Sequence, residues 1–264
     1  MISIVLVGAD GRMGRAIEAA AATDRDATIA ARVDHGGARR ADSPDGANAA
    51  RGLADVVRDG DVVVDFSAPD GFRAAAEVCR ARALPLVTGT TGLGKDDDAL
   101  LDEVAKRAPV LRSANFSLGV LALRAALRAA LDSLPATWDI EIVERHHRAK
   151  VDSPSGTALA LAQDAARQRG LGEEAFRHGR SGRVGPRQTS EIGLHSVRGG
   201  SWIGDHAVLL AGAGESLELR HVAEDRTAFA HGALAAARFL ATAPPARYAL
   251  EDLLQHRGRS GVHR

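Results

Sequence analysis

Ile2-Ser-Ile-Val-Leu-Val-Gly-Ala-Asp-Gly-Arg-Met-Gly14 opens the chain, and its reading decides how the first half folds. Ile2–Val7 is an almost unbroken apolar run, as in a strand buried on both faces of a parallel sheet. A helix is expected over residues 15–22, so Gly8, Gly11 and Gly14 fall in the turn between strand and helix. Glycines there permit a tight turn and let the backbone approach a pyrophosphate resting on the positive end of the helix. The spacing is GxxGxxG rather than GxGxxG, so the motif alone is weak and its context carries the reading. A second strand over residues 28–33 ends at Asp34, twenty residues beyond Gly14, where a carboxylate meets a ribose hydroxyl. Gly8, Asp10, Gly11, Arg12, Met13, Gly14, Asp34 and His35 are therefore candidate dinucleotide-binding positions. An acid favours a free 2′-hydroxyl, and His35 beside it is only partly cationic near neutral pH. The pair favours acceptance of NADH at least as well as NADPH. Arg12, Arg39 and Arg40 are further sources of charge, the last two also readable as solvated loop residues.

The same alternation continues outward from this unit. A Gly-, Ala-, Asp- and Pro-rich loop is expected over residues 38–50, then strands over 62–66, 84–88 and 110–111. Helices over 71–83 and 95–107 separate those strands, which implies an α/β fold with a Rossmann-like, doubly wound parallel sheet. Beyond residue 116 the pattern changes. A Leu/Ala helix over 117–134, a strand over 138–143 and a helix over 157–169 lead into alternating strands over 191–197, 206–211 and 216–222. Such strands with Gly-rich connections predict a smaller α+β domain whose mixed or antiparallel sheet keeps one face exposed. A helix over 227–241 follows, and residues 257–264 are expected as a frayed tail. Two domains result: residues 1–116 with 227–264 for the dinucleotide, and 117–226 for the substrate.

Composition narrows the function classes. Among 264 residues, Lys plus Arg and Asp plus Glu are 34 each, and this neutral balance argues against broad nucleic-acid or anionic-membrane binding. Cys79 is the only cysteine, so no intrachain disulfide can form, a zinc-thiolate site is not expected, and a reducing cytoplasm fits. The first apolar run is too short for a signal-peptide core, and no uninterrupted apolar stretch reaches transmembrane length. A soluble cytoplasmic protein without a metal site is the expectation.

Glu144-Arg-His-His-Arg-Ala-Lys-Val-Asp-Ser-Pro-Ser-Gly-Thr157 concentrates the remaining chemistry. His146 and His147 end a strand, where successive side chains point to opposite faces, so only one faces a given site unless the chain turns. Alone, each feature has a plain reading: one packed and one solvated histidine, a surface lysine, and an N-cap with Pro154 in the first turn. Their conjunction changes the balance. A helix N-terminus presenting the Gly156 and Thr157 amides binds a carboxylate, and Lys150 adds charge and a transferable proton.

With these residues in view, the chain resembles the 4-hydroxy-tetrahydrodipicolinate reductase (dihydrodipicolinate reductase) family of bacterial lysine and diaminopimelate biosynthesis. The resemblance runs through Gly8 to Gly14, Val64-Asp-Phe-Ser67, Gly89-Thr-Thr-Gly92, Ser113-Ala-Asn-Phe-Ser117 and Glu144 to Thr157. It continues through Ile192-Gly193, Arg198-Gly-Gly200, Gly204-Asp-His206, Gly214-Glu215 and Arg226 to Phe229. The Glu144 to Thr157 block is the most specific of these. The resemblance implies reduction of a cyclic imine dicarboxylate with NADH or NADPH, His146 and Lys150 donating protons and His147 near the substrate. It implies that Gly156 and Thr157 bind a substrate carboxylate, and that Gly89, Thr90, Thr91, Ala114, Asn115 and Phe116 line the nicotinamide side. Arg226 would lie near an interdomain cleft, the C-terminal helix would return to the nucleotide domain, and four subunits would join through their substrate-domain sheets. Two positions depart from the family. His35 stands where members preferring NADPH often carry Arg, and Ala68 replaces a residue that is often larger or basic. Another nicotinamide-dependent dehydrogenase of the amino-acid type, or a dinucleotide-sensing regulator, would share the glycine turn. Neither accounts for the His-His-x-x-Lys and Ser-Gly-Thr placement. The basic stretch over residues 177–187 is expected as a flexible loop over the site or as solvated surface.

Overall fold

β1 (Ile2–Val7) and β4 (Asp61–Asp65) lie side by side and parallel in the computed structural model, which describes residues 1–41 and 52–254. Both are buried along most of their length, which is why they read as continuous apolar runs rather than alternating ones. β1 leads through α1 (Arg12–Ala22) to β2 (Ala27–Asp34) on one side, while β4 lies on its other side. From β4 the chain passes through α3 (Pro69–Arg82), β5 (Leu86–Thr88), α4 (Lys95–Ala105) and β6 (Val110–Arg112). It returns to this unit at α7 (Thr227–Leu240) and adds β12 (Arg247–Tyr248) beside β6. Including β3 (Gly37–Arg40), the strand order is β12-β6-β5-β4-β1-β2-β3, parallel except for β3. The chain order reverses at β1, the switch point where open α/β sheets bind ligands outside the strands' carboxyl ends.

β3 corrects the loop expected over residues 38–50. It pairs antiparallel with β2, Arg39 opposite Arg32 and Ala38 opposite Val33, and so closes the sheet edge. Gly-Ala-Arg-Arg has no β-branched residue and so gives no local strand signal; pairing with β2 supplies it. The rest of that loop, and the tail expected over residues 257–264, lie outside the described residues. A short helix, α2 (Leu53–Val56), also escaped the sequence reading.

The second unit, Ser117–Arg226, carries a five-stranded sheet. Its elements are α5 (Leu118–Ser133), β7 (Asp139–His146), α6 (Gly156–Arg169), β8 (Phe176–His178), β9 (Ile192–Arg198), β10 (Gly204–Gly212) and β11 (Glu215–Ala223). The order is β11-β10-β7-β9-β8. β9 runs parallel to β7 and β8, whereas β10 is antiparallel to β7 and β11, so the sheet is mixed. β7 alternates strictly, burying Ile140, Ile142, Glu144 and His146 on one face. Ile140 and Ile142 pack with Leu127 of α5 and Leu161 and Ala165 of α6 in one apolar cluster. Asp164 of α6, buried, receives Arg124 Nε of α5 at 2.7 Å and Arg128 Nη1 at 3.3 Å, which locks the two helices together. The inner face of β7 thus changes from apolar to ionisable within one strand, at the end that meets the loop into α6.

Candidate active site

In the first unit, the predicted nucleotide residues gather at the carboxyl ends of adjacent parallel strands. Gly8 follows β1 at φ +79°, a left-handed conformation, and a Cβ there would lie 2.7 Å from the Phe66 carbonyl oxygen. Gly14 sits in the first turn of α1, where a Cβ would come within 2.2 Å of the Gly8 carbonyl oxygen. The turn therefore closes only with glycine at both positions. The N-cap Gly11 makes no side-chain cap bond, and no acid occupies the first turn of α1. That helix end keeps its partial positive charge, which suits a pyrophosphate.

Asp34, at the end of β2, folds back on the turn: its Oδ2 accepts the Asp10 amide at 2.8 Å, and its Oδ1 accepts the His35 amide at 2.8 Å. Partial burial opposes ionisation, but those two amides outweigh it and hold the carboxyl below its ordinary range. A pocket of about 230 Å³ lies there, lined by Ala9, Asp10, Arg32, Asp34, Gly36, Gly37 and Arg39. Arg32 is already engaged by Asp10 at 3.2 Å and Glu18 at 2.9 Å. Gly89, Thr90 and Thr91 follow β5, and Ala114, Asn115 and Phe116 follow β6. A dinucleotide fits this set, because its glycine cradle and ribose carboxylate are in place.

One organising residue had no role in the sequence reading. Asp65, fully buried at the end of β4, accepts Thr88 Oγ1 and Thr90 Oγ1 at 2.8 Å each and the Ser67 amide at 3.1 Å. It ties the ends of β4 and β5 together. The only signal was an acid inside an otherwise apolar strand. The Phe66 and Phe116 rings pack at a tilt with centroids 5.2 Å apart, and Gly89 lies so close to the Phe66 ring that a Cβ would clash at 2.2 Å.

The second unit holds the ionisable cluster. Glu144, 1% exposed, accepts hydrogen bonds from His146, Arg198, Ser196 and the Ser155 amide. His146 Nδ1 donates to Oε2 at 2.5 Å, and Arg198 Nη1 and Nη2 reach Oε2 and Oε1 at 2.7 and 2.8 Å. The Ser155 amide donates to Oε1 at 3.1 Å. Burial alone would raise the Glu144 carboxyl, but the Arg198, His146 and Ser196 hydrogen bonds prevail and hold it at about 2. His146 is pushed below its ordinary value by burial, against the pull of Glu144 and with the Lys150 and Arg198 charges adding to the fall. His206 packs edge-on against His146 with ring centroids 5.1 Å apart; burial and then the His146 charge lower it to about 4.

Ser155 is the N-cap of α6: its Oγ accepts the Ala158 amide at 3.2 Å and hydrogen-bonds His206 Nε2 at 3.0 Å. Gly156 and Thr157 begin the helix, whose first turn contains no acid. Lys150 Nζ contacts both carboxylate oxygens of Asp152, at 2.8 and 2.9 Å. Two details differ from the sequence reading. Pro154 precedes the N-cap, after a cis peptide, instead of starting the helix, and Asp152 serves Lys150 rather than the helix. The His147 amide bonds to the Trp202 carbonyl at 2.8 Å, while its ring joins no hydrogen bond among the described residues. The structure thus joins His146 to Glu144 and leaves the His147 ring apart.

Residues 177–186 are exposed, as the solvated-surface reading expects, but the stretch is not a free loop. Arg177 belongs to β8, and Arg180 and Arg187 bond Glu141 Oε1 at 2.9 Å each. Glu141 alternates with Glu144 and so lies on the opposite face of β7 from His146. Carboxylates on the strand, invisible to a local reading of the basic stretch, capture these arginines.

Comparison with known proteins extends the picture. The family described as "Dihydrodipicolinate reductase, N-terminus" matches residues 2–116, and "Dihydrodipicolinate reductase, C-terminus" matches residues 119–254. A 4-hydroxy-tetrahydrodipicolinate reductase of Rhodopseudomonas palustris is 41% identical over 262 residues, covering 95% of this chain and 96% of that protein. Its counterpart in Caulobacter vibrioides is 42% identical over 261 residues, covering 96% of this chain and 97% of the relative. The solved structure of a dipicolinate-bound dihydrodipicolinate reductase from Paenisporosarcina sp. TG-14 shares the fold, with a TM-score of 0.72 and 23% identity. It covers 96% of this chain and 99% of its own. From the glycine turn to the Glu144 cluster, over essentially its whole length, the chain belongs to the dihydrodipicolinate reductase family.

Proposed function

We propose that this chain reduces 4-hydroxy-tetrahydrodipicolinate to tetrahydrodipicolinate with loss of water, as an NAD(P)H-dependent step of lysine biosynthesis through diaminopimelate. Family membership over nearly the full length supports the reaction. The observation that carries it in the structure is the buried Glu144 carboxylate binding His146, Arg198 and the Ser155 amide at the start of α6.

The reduced nicotinamide, when bound, supplies a hydride to the conjugated imine formed on loss of water. Gly8, Asp10, Gly11, Arg12, Met13 and Gly14 would hold its pyrophosphate, Asp34 and His35 its ribose. Gly89, Thr90, Thr91, Ala114, Asn115 and Phe116 would flank the nicotinamide. The chain's own task is to manage charge. A substrate with two carboxylates needs cations and oriented amides, and Lys150, His147 and the Gly156 and Thr157 amides supply them. Negative charge left on the ring system must be neutralised by a proton, and His146 and Lys150 are the donors. Replacing either, as H146Q or K150M, lowers kcat about 100-fold or more while NADH affinity stays at the wild-type level. Equal loss of NADH binding would overturn the assignment.

Asp34 remains a carboxylate at the ribose position, which supports a free hydroxyl there, while Arg39 lines the same pocket as a cation open to a 2′-phosphate; NADH is accepted at least as well as NADPH. The outward sheet face of residues 117–226 exposes Val197 and Val222, with Trp202 exposed in the connection between β9 and β10, and this surface serves tetramer assembly, which sedimentation velocity tests. Among the described residues no helix is long and apolar enough to cross a membrane. The deciding assay follows nicotinamide oxidation with substrate generated in place from pyruvate and aspartate semialdehyde by a condensing synthase. Synthase-dependent oxidation supports the reaction; its absence in folded protein that binds NADH refutes the substrate.

A further inference from the structure

Glu144 is an expensive residue to keep. Its carboxylate is almost fully buried, and burying a charge costs several kcal/mol before its partners offset it. A buried ion pair is often replaceable by apolar side chains without loss of stability, so packing alone does not account for it. What the carboxylate does locally is specific. It lies two residues before His146 on the same face of β7, and Oε2 takes the Nδ1 proton at 2.5 Å. The ring is thereby fixed with Nδ1–H inward, and Nε2 is left with no partner among the described residues. Nε2 faces Gly204, where a Cβ would come within 3.3 Å, so even a methyl group there would crowd it.

The other oxygen reaches the loop that carries the remaining substrate-binding groups. Oε1 holds the Ser155 amide at 3.1 Å, the residue that caps α6 just before Gly156 and Thr157. Arg198, paired to Glu144 through both terminal nitrogens, donates to the Asp152 carbonyl at 2.7 Å. Asp152 in turn holds Lys150 through its carboxylate. Hydrogen bonds thus run from His146 through Glu144 to Arg198 and the backbone of Asp152, the residue whose side chain holds Lys150, with a branch from Glu144 to the start of α6.

We propose that Glu144 is a positioning residue for proton delivery: it sets the tautomer and direction of His146 and, with Arg198, fixes the loop bearing Lys150 relative to that ring. The role rests on the reductase reading, in which His146 and Lys150 are the donors. A carboxylate behind a histidine keeps the ring in one orientation and stabilises its protonated form, as such partners do for catalytic and metal-bound histidines. The charged and titratable groups facing His146 are Glu144 on its own strand, Arg198 on β9, His206 on β10 and Lys150 in the following loop. Of these only Glu144 favours the imidazolium.

The test is Glu144→Gln, which keeps the shape and removes the charge. Histidine signals of isotope-labelled protein are followed against pH, that of His146 being identified by its loss in H146Q. In Glu144→Gln the His146 midpoint falls by about one unit or more, because the one stabilising charge is gone. Its kcat falls about 10–100-fold with the alkaline limb of the pH profile, where the donor loses its proton, displaced in the same direction, while NADH affinity stays near wild type. A folded Glu144→Gln with the wild-type His146 midpoint and the wild-type kcat overturns the proposal. Should that variant not fold, Glu144→Asp keeps the charge but withdraws it by one methylene. Lowered kcat with intact NADH binding supports the role, and an unchanged kcat and pH profile refutes it. The titration needs no substrate. A shifted His146 midpoint in a protein that never turns over the cyclic imine would discard the reductase reading and leave the placement of His146 standing.

Discussion

Removing Arg198 should reveal how much of the second unit's stability rests on one buried charge. Arg198→Met keeps length and apolar stem but deletes two bonds to Glu144, at 2.7 and 2.8 Å, and one to the Asp152 carbonyl. Glu144, 1% exposed in the wild type, is left with only His146, Ser196 and one amide to hold its charge. Breaking a buried pair from one side costs about 3–5 kcal/mol, a large share of the roughly 5–15 kcal/mol that holds a domain folded. The loss depends on pH, and its sign follows from the carboxyl. In the wild type it is held at about 2, below the ordinary 4.5. That depression contributes about 3 kcal/mol, present above pH 4.5 and lost as pH falls through 2. In the variant, burial is no longer outweighed and the carboxyl protonates at higher pH, which relieves the buried charge. The gap between the two proteins is therefore widest at pH 7 and narrows on acidification, from the pH at which the variant's carboxyl takes up its proton down to about 2. Both tryptophans, Trp138 and Trp202, lie in residues 117–226, so urea unfolding followed by tryptophan fluorescence reports on this unit alone. A gap below about 1 kcal/mol at pH 7, or one of equal size at pH 7 and pH 3, would refute the reasoning.

Two further outcomes test the nucleotide side. Gly14→Ala places a methyl group 2.2 Å from the Gly8 carbonyl oxygen and 2.5 Å from that of Ala9; neither backbone atom can retreat without opening the turn. NADH affinity, measured by quenching or enhanced cofactor fluorescence, should fall at least about tenfold, and unchanged affinity would show that the turn does not touch the cofactor. His35→Arg adds a permanent cation beside Asp34, and the ratio of NADPH to NADH affinity should rise about tenfold, as a charge-assisted hydrogen bond implies. A ratio unmoved by this change would place the 2′-phosphate elsewhere.

How much was legible in the sequence followed from how local each signal was. β1, the glycine turn and α1 were readable because a doubly buried strand leaves an unbroken apolar run and a switch-point turn demands glycine. β7 was recognisable from its apolar alternation, and its end was legible too: the histidine pair was expected to close a strand, which stops at His146. The Glu144 to Thr157 stretch announced an anion site by composition, yet its centre was read as histidine and lysine. Glu144 was passed over because a glutamate's importance here lies in burial and in Arg198, more than fifty residues away. β3 and the captured arginines of residues 177–187 were missed for a similar reason: pairing with β2 and Glu141 creates them, and no short window contains both partners.

The first unit is assembled from two separated stretches of chain, residues up to Phe116 and those from Thr227 onward. On a ribosome this has an order. Strands β1 to β6 emerge early, but α7, which packs on β1, β4, β5 and β6, is translated only after the whole second unit. Gly232 of α7 approaches the Phe116 carbonyl so closely that no Cβ fits, so the late helix must seat itself against the very residue where the chain first departed. The contiguous insert is free to close while its host still waits for a wall. Nascent chains halted just before residue 227 and exposed to protease should therefore yield a resistant second unit and a digestible first one, and the opposite pattern would mean that β1 to β6 hold without α7.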